Sequence, residues 1–121
     1  MLKNIFRAFT QSTPRARIAF DRGGDYIPGY PHGIFTINAD GSDCRHIKNI
    51  GTYPRWSPDG QWIAYLEKVQ DNSFLNSIFL MRPDGQQARR LTHDYDVDAS
   101  YHWWSPDSRH LVYELWLWEE K

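Results

Sequence analysis

The stretch WSPDGQWIAYLE, residues 56 to 67, decides the fold of this chain. It returns 48 residues later as WSPDSRHLVYEL, residues 104 to 115. In each copy a Ser-Pro-Asp tripeptide predicts a tight turn, because proline presets φ at the second turn position. The residues after the turn alternate like a strand, with Trp62, Ala64 and Leu66 on one face and Ile63, Tyr65 and Glu67 on the other. A motif that recurs at this distance predicts a repeat architecture.

Asp-Gly turns provide a second recurring feature. Asp40-Gly41 and Asp84-Gly85 are 44 residues apart, and each pair stands between two β-rich runs. Such a pair favours a hairpin, since glycine accepts a positive φ and the aspartate caps the turn. The predicted strands around these turns are residues 17–21, 33–38, 44–50, 53–57, 61–68, 78–82, 88–92, 101–105 and 109–118.

Four short antiparallel strands in about 45 residues form one unit, and tandem units of this length are typical of propeller blades. The predicted fold class is therefore all-β, with antiparallel four-stranded blades in an incomplete β-propeller. The units are residues 17–51, 52–99 and 100–121, after an arm at residues 1–16 that is helical or a remodelled strand. A closed ring needs at least about four blades, and this chain holds about 2.5.

Four strings carry a resemblance to a known family: PRWSPDG at residues 54–60, QWIAY at 61–65, MRPDG at 81–85 and RRLT at 89–92. They resemble the WD40-like β-propeller repeat of the TolB type over about residues 17 to 115. The first unit departs from the pattern, because residues 11–15 lack the turn. The resemblance implies a non-catalytic propeller module for protein–protein interaction. TolB-like propellers also occur as the lid domain of prolyl-oligopeptidase-type serine peptidases and as sugar-acid lyases with a divalent metal.

Composition excludes several classes of function. The chain has 121 residues and a formal net charge of −1, so nothing steers it as a whole to nucleic acid or to an anionic membrane. Its one cysteine, Cys44, allows no internal disulfide. No apolar run is long enough to span a bilayer, and no secretory signal is visible. We therefore expect no cofactor, no membrane insertion and a cytoplasmic location by default, whereas the resemblance implies the periplasm.

The incomplete blade count leaves three alternatives for assembly. The chain associates head to tail into a ring, which we favour, or it is a piece of a longer propeller, or it is a stand-alone open stack. The run from Leu111 to Trp118 predicts a long apolar strand whose exposed edge pairs with a partner. Trp116 and Trp118 are the predicted assembly edge. The alternative is that this strand pairs with residues 1–10 of its own chain.

Chemistry-bearing residues are sparse in the sequence. Ser57 and Ser105 lack the Gly-x-Ser-x-Gly elbow of hydrolases and are predicted to serve the turns. Asp94, Asp96 and Asp98 alternate like half of a calcium loop, but the required glycine and glutamate are missing. We predict no enzymatic activity; the alternative is a metal-dependent lyase or hydrolase. The predicted binding residues, at the mouth of the propeller channel, are Tyr53, Arg55, Asp96, Asp98, Tyr101, His102 and Trp103.

Overall fold

A computed structural model describes residues 17–23, 31–69, 75–93 and 97–117, with the backbone alone at 97–100 and at 116–117. The regular secondary structure in these ranges consists of β-strands, all paired in antiparallel fashion. The prediction of an all-β antiparallel fold is thus confirmed. Within the same ranges, no helix has the length and apolar character needed to cross a membrane.

The strands form three sheets in chain order. The first sheet contains β1 (Arg17–Arg22), β2 (Gly33–Asn38) and β3 (Arg45–Lys48). The middle sheet contains β4 (Thr52–Trp56), β5 (Ile63–Lys68), β6 (Asn76–Met81) and β7 (Arg89–Arg90). The last sheet contains β8 (Val97–Trp104) and β9 (Leu111–Leu117). Within each sheet, every strand pairs with the next along the chain, so each sheet is a meander of hairpins.

Most strand bounds lie one or two residues from the sequence-based expectation, and the start of β8 lies further away. Strand β8 begins at Val97, before the predicted start at residue 101, because its first residue pairs with Leu117 at the far end of β9. Strand β7 is shorter than predicted, and its ladder with β6 consists of the pairs Phe79–Arg90 and Leu80–Arg89. Beyond it, the Leu91 N–H donates to the carbonyl oxygen of Ile78 (2.7 Å), and the Thr92 hydroxyl accepts the N–H of Ile78 (3.0 Å). The arm at residues 1–16 lies outside the described ranges.

The middle sheet buries both of its faces. Ile63, Tyr65 and Met81 pack with Ile34 of the first sheet in one cluster of fully buried side chains. The opposite face packs against the last sheet, in a cluster that contains Trp62, Ala64, Leu66, Ile78, Leu80, Leu91, Trp104, Leu111 and Tyr113. The predicted alternation along β5 is confirmed, since neighbouring residues fall in different clusters. Period-two alternation of apolar residues on both faces is what a strand between two sheets requires.

The two Ser-Pro-Asp turns are built from the same hydrogen bonds. In the first turn, the Ser57 hydroxyl donates to the Asp59 carboxylate (2.6 Å) and accepts from the N–H of Trp62 (3.0 Å). In the second, the Ser105 hydroxyl donates to Asp107 (2.5 Å) and accepts from the N–H of His110 (3.0 Å). The carboxylate in each case also accepts the backbone N–H two residues on. The structure therefore repeats at this motif as the sequence does.

The two Asp-Gly turns match in the same way. The Asp40 carboxylate accepts the N–H of Ser42 (2.8 Å), and the Asp84 carboxylate accepts the N–H of Gln86 (2.9 Å). Gly85 has φ +83°, and a Cβ added there would lie 2.3 Å from the carbonyl oxygen of Ile47. This turn of the middle sheet therefore presses on β3 of the first sheet, at a distance that only glycine permits.

Candidate functional site

Three exposed rings lie together on the first strands of the middle and last sheets. Tyr53 belongs to β4, and Tyr101 and Trp103 belong to β8; their exposed fractions are 53%, 52% and 45%. We call these three residues the aromatic row. Large rings that remain half exposed and adjacent indicate a contact surface, since scattered single apolar residues are the usual finding at protein surfaces.

The rings of the row contact one another in sequence. The ring centroids of Tyr53 and Tyr101 are 6.1 Å apart with an angle of 71° between the planes, an edge-to-face arrangement. Those of Tyr101 and Trp103 are also 6.1 Å apart, at 28°. Arg55 lies at the Trp103 end of the row, with its guanidinium carbon 5.8 Å from the Trp103 ring centroid. The surface thus combines three π systems with one positive charge.

Hydrogen bonds to the backbone of β4 fix the geometry of the row. The indole N–H of Trp104 donates to the carbonyl oxygen of Arg55 (3.0 Å), which holds β8 against β4. The backbone N–H of Tyr53 donates to the Asp21 carboxylate of β1 (2.5 Å). Tyr53 has φ +51°, a left-handed conformation in which a non-glycine residue is strained. Neighbouring strands on both sides therefore hold the backbone of β4 in place, one at Tyr53 and the other at Arg55.

Asp21 is a residue of this region that the sequence analysis missed as a site residue. A shallow cleft of about 390 Å³ adjoins the row and is lined by Ala19, Phe20, Asp21, Tyr53, Pro54 and Arg55. In the sequence, Asp21 appears simply as the polar end of an apolar strand. The contact between β1 and β4 that brings it to Tyr53 is a tertiary one, and no local pattern signals it.

His102 lies apart from the other predicted binding residues. It is completely buried, with Nε2 3.3 Å from the carbonyl oxygen of Ala64 in the middle sheet. Its neighbours Tyr101 and Trp103 are exposed, as alternation along a strand requires. The structure thus brings together Tyr53, Arg55, Tyr101 and Trp103 but turns His102 into the core.

The structure describes the remaining predicted site residues by their backbone alone or not at all. The backbone of Asp98 pairs with that of Trp116 in the β8–β9 ladder, and the side chains of both are outside the description. Asp96 and Trp118 lie outside the described ranges altogether. Across residues 17–23, 31–69, 75–93 and 97–117, no group of three or more His, Cys, Asp and Glu side chains is arranged to hold a metal ion.

A second, larger cavity opens between the first and middle sheets. Its volume is about 670 Å³, and its charged lining residues include Arg22, Glu67 and Lys68. Glu67 is paired with Lys48 (Nζ···Oε2 3.6 Å), so part of its charge is balanced locally. Burial, followed by the charge of Glu67, raises the pKa of Tyr65 behind it. The phenol of Tyr65 therefore stays protonated. The paired charges of Lys48 and Glu67 join the first sheet to the middle sheet.

The chemistry of the aromatic row is that of binding. Half-exposed rings offer stacking and edge contacts, and the guanidinium offers hydrogen bonds and charge to an anion. Ser57, by contrast, is 2% exposed, and its hydroxyl is engaged in the turn. The turn serines thus have the structural role that the sequence predicts.

Comparison with known proteins connects the chain to peptidases. No protein-family model matches it. The chain is 32% identical over 74 residues to the uncharacterized peptidase YuxL of Bacillus subtilis strain 168. The matched segment is 61% of this chain and 11% of that relative. The chain is also 34% identical over 83 residues to dipeptidyl-peptidase 5 of Porphyromonas endodontalis. This matched segment is 66% of the chain and 11% of that relative.

These two matches correct one expectation. The sequence led us to predict a protein with no enzymatic activity, and that prediction is wrong, because both relatives are peptidases. The repeat motifs indicate architecture alone, and a fold does not by itself reveal which chemistry a protein performs. The chain spans 11% of the length of each of these relatives.

Proposed function

We propose that this chain is a β-propeller part of a peptidase-related protein, in which it takes part in binding peptide substrates. The observation that carries the proposal is the similarity to two peptidases over 61% and 66% of the chain. Substrates of a peptidase are peptides, and the chain carries an exposed surface of rings and one arginine suited to contact them.

The sheet arrangement supports the propeller part of this proposal. The middle sheet has four strands in the order β4-β5-β6-β7, and it is stacked between two other sheets through its two apolar faces. Face-to-face stacking of four-stranded meanders is how propeller blades bury their surfaces. We propose that further sheets complete the ring, supplied either by more of the same polypeptide or by other copies of it.

In such a ring, the first strands of successive blades line the central channel. Strands β4 and β8 are the first strands of their sheets, and they carry the aromatic row. This position lets a peptide that enters the channel meet the row before it reaches any catalytic residue. The proposed role of the chain is therefore recognition and positioning of substrate peptides.

Titration of the purified chain with a peptide mixture tests this function. A tryptic digest of casein is added while the tryptophan fluorescence is recorded, and a matched series uses a mixture of maltooligosaccharides. We expect a saturable change with the peptides, at concentrations below about 1 mM, and none with the sugars. A flat response to the digest over that range would contradict the proposed function.

A further inference from the structure

We propose that the aromatic row and Arg55 form a site for an extended peptide segment that carries an acidic side chain next to ring-bearing residues at alternate positions. This inference rests on the proposed function, and it names the class of peptide that the site selects. It follows from the spacing of the rings, from their exposure, from the charge of Arg55, which has no carboxylate partner among the described side chains, and from the way the site is held.

The spacing of two rings along β8 matches that of an extended peptide. Tyr101 and Trp103 are two residues apart on this strand, and their ring centroids are 6.1 Å apart. An extended chain rises about 3.3 Å per residue, so side chains on one face recur about every 6.6 Å. Rings at every second position of a peptide bound alongside β8 would therefore come into register with Tyr101 and Trp103, while Tyr53 flanks Tyr101 from β4.

The orientation of the rings suits flat or cyclic side chains. Tyr53 stands edge-on to Tyr101, whereas Tyr101 and Trp103 are close to parallel. Aromatic pairs favour edge-to-face and offset-stacked contacts, and proline rings also pack on exposed aromatic faces. Phenylalanine, tyrosine and proline are therefore the residues expected at the alternate positions of the ligand.

Arg55 gives the site its charge preference. Among the described side chains, no carboxylate lies within 4.0 Å of its guanidinium, whereas Arg17 and Arg45 both pair with Asp43 (2.8 and 2.7 Å). One side of the Arg55 group faces the Trp103 ring, which leaves its N–H donors for a ligand. A guanidinium binds a carboxylate in a two-pronged geometry, so an acidic side chain is the complement of this end of the row.

The site is held in its binding geometry by the fold. The Trp104 indole fixes the Arg55 carbonyl, and the Asp21 carboxylate fixes the Tyr53 N–H. Both contacts cross from one sheet to another, so they set the distance between β4 and its neighbours. A surface that is already ordered loses little conformational entropy when it binds, which makes modest contacts sufficient for affinity.

The test uses four short labelled peptides, of which three differ at one residue and one differs in the placement of its rings. The first peptide has a glutamate followed by phenylalanine or proline at alternate positions; the second and third carry glutamine and lysine instead of the glutamate. A fourth has the same composition with the rings at adjacent positions. Binding to the purified chain is measured by fluorescence anisotropy. We expect the glutamate peptide to bind about fivefold more tightly than the glutamine peptide and to weaken as salt is added.

Charge reversal makes the test specific. Arg55→Glu should reverse the order, so that the lysine peptide binds most tightly. Arg109→Glu, at an exposed arginine in the second Ser-Pro-Asp turn, is the matched control and should keep the wild-type order. Trp103→Ala should weaken all ring-bearing peptides about tenfold, because a stacking partner is lost. A reversed preference requires a folded protein, so Arg55→Glu cannot give it by unfolding.

The outcomes separate this inference from the proposed function. If the glutamate, glutamine and lysine peptides bind equally, or if Arg55→Glu keeps the wild-type order, the inference is wrong while peptide binding itself stands. Equal affinity for alternate and adjacent rings would contradict the spacing argument. If neither the synthetic peptides nor the casein digest binds, both the inference and the proposed function fail.

Discussion

The backbone N–H of Asp59 donates a hydrogen bond to the hydroxyl of Ser108, with N and Oγ 2.9 Å apart. The two residues belong to equivalent turns in neighbouring sheets, so the bond joins one repeat to the next. Ser108 has φ +62°, while Gly60, its counterpart in the first turn, has φ +73°. A serine in this left-handed conformation is strained, and the bond to Asp59 offsets part of that strain.

Two substitutions at Ser108 separate the strain from the bond. Ser108→Ala keeps the positive φ but removes the hydroxyl, so we expect a loss of about 1 kcal/mol in the free energy of unfolding. Ser108→Gly also removes the bond but relieves the strain, so its stability should stay within about 0.5 kcal/mol of the wild type. Urea unfolding measures both. Equal destabilisation by the two variants would mean that the backbone at this position is unstrained.

Two glycines with positive φ should differ in their tolerance of alanine. A Cβ at Gly60 (φ +73°) meets nothing within 4 Å, so Gly60→Ala should cost about 1 kcal/mol through the backbone alone. A Cβ at Gly85 would lie 2.3 Å from the Ile47 carbonyl oxygen, so Gly85→Ala must also move the backbone. We expect a further loss of about 1–3 kcal/mol. Thermal unfolding compares the two, and similar midpoints would contradict the close contact between turn and strand.

The hydroxyl of Thr92 should be needed for the fold of the middle sheet. It accepts the N–H of Ile78 in the interior, where Thr92 is 7% exposed. Thr92→Val keeps the shape but leaves that N–H unpaired, so we expect a loss of about 1–3 kcal/mol. Thr92→Ser retains the hydroxyl and is the matched control, with a smaller loss. Chemical denaturation of both variants decides, and a Thr92→Val protein as stable as Thr92→Ser would contradict the role of the bond.

Acid should weaken the repeated turns. The Ser57 hydroxyl and the Gln61 N–H hold the pKa of Asp59 below its ordinary value of 3.8, and Ser105 and Arg109 do the same for Asp107. A carboxyl whose pKa is lower in the folded state stabilises the protein above the unfolded pKa. That contribution is lost as the pH falls from 3.8 through the lower folded value.

The experiment measures the free energy of unfolding by denaturant at a series of pH values, from neutral to acidic. The stability difference between the wild type and the Asp59→Asn variant should be constant above about pH 4 and should shrink below it. A difference that grows as the pH falls would contradict the assignment of the low pKa to the Asp59 carboxyl.

The local parts of the fold were predictable from the sequence because local bonds determine them. The serine and aspartate of each Ser-Pro-Asp turn find their partners within five residues, so the motif alone specifies the turn. The alternation along β5 was equally readable, since each face of that strand has its own apolar set. The early start of β8 depends on the pairing of Val97 with Leu117, a contact that the local pattern does not contain.

The candidate site was predictable in part for the same reason. Tyr53, Arg55, Tyr101 and Trp103 were placed on first strands by the repeat, and the structure brings them together. Strand periodicity says that His102 faces away from its two neighbours, but it does not say which side meets the middle sheet. Asp21 lies in another sheet, and no local sequence pattern predicts its hydrogen bond to Tyr53.

Strand β5 belongs to both apolar clusters, since its residues alternate between the first sheet and the last. A fluctuation that separates one outer sheet from the middle sheet leaves β5 packed on its other face. Unfolding of β5 itself disrupts both apolar clusters at once. The amide hydrogens of β5 should therefore exchange with solvent only through opening of the whole stack, while those of β1 and β9 exchange through partial openings of lower free energy. Strand β6 alternates in the same way, with Ile78 and Leu80 in one cluster and Met81 in the other. The three sheets thus share one cooperative centre, the pair of strands β5 and β6.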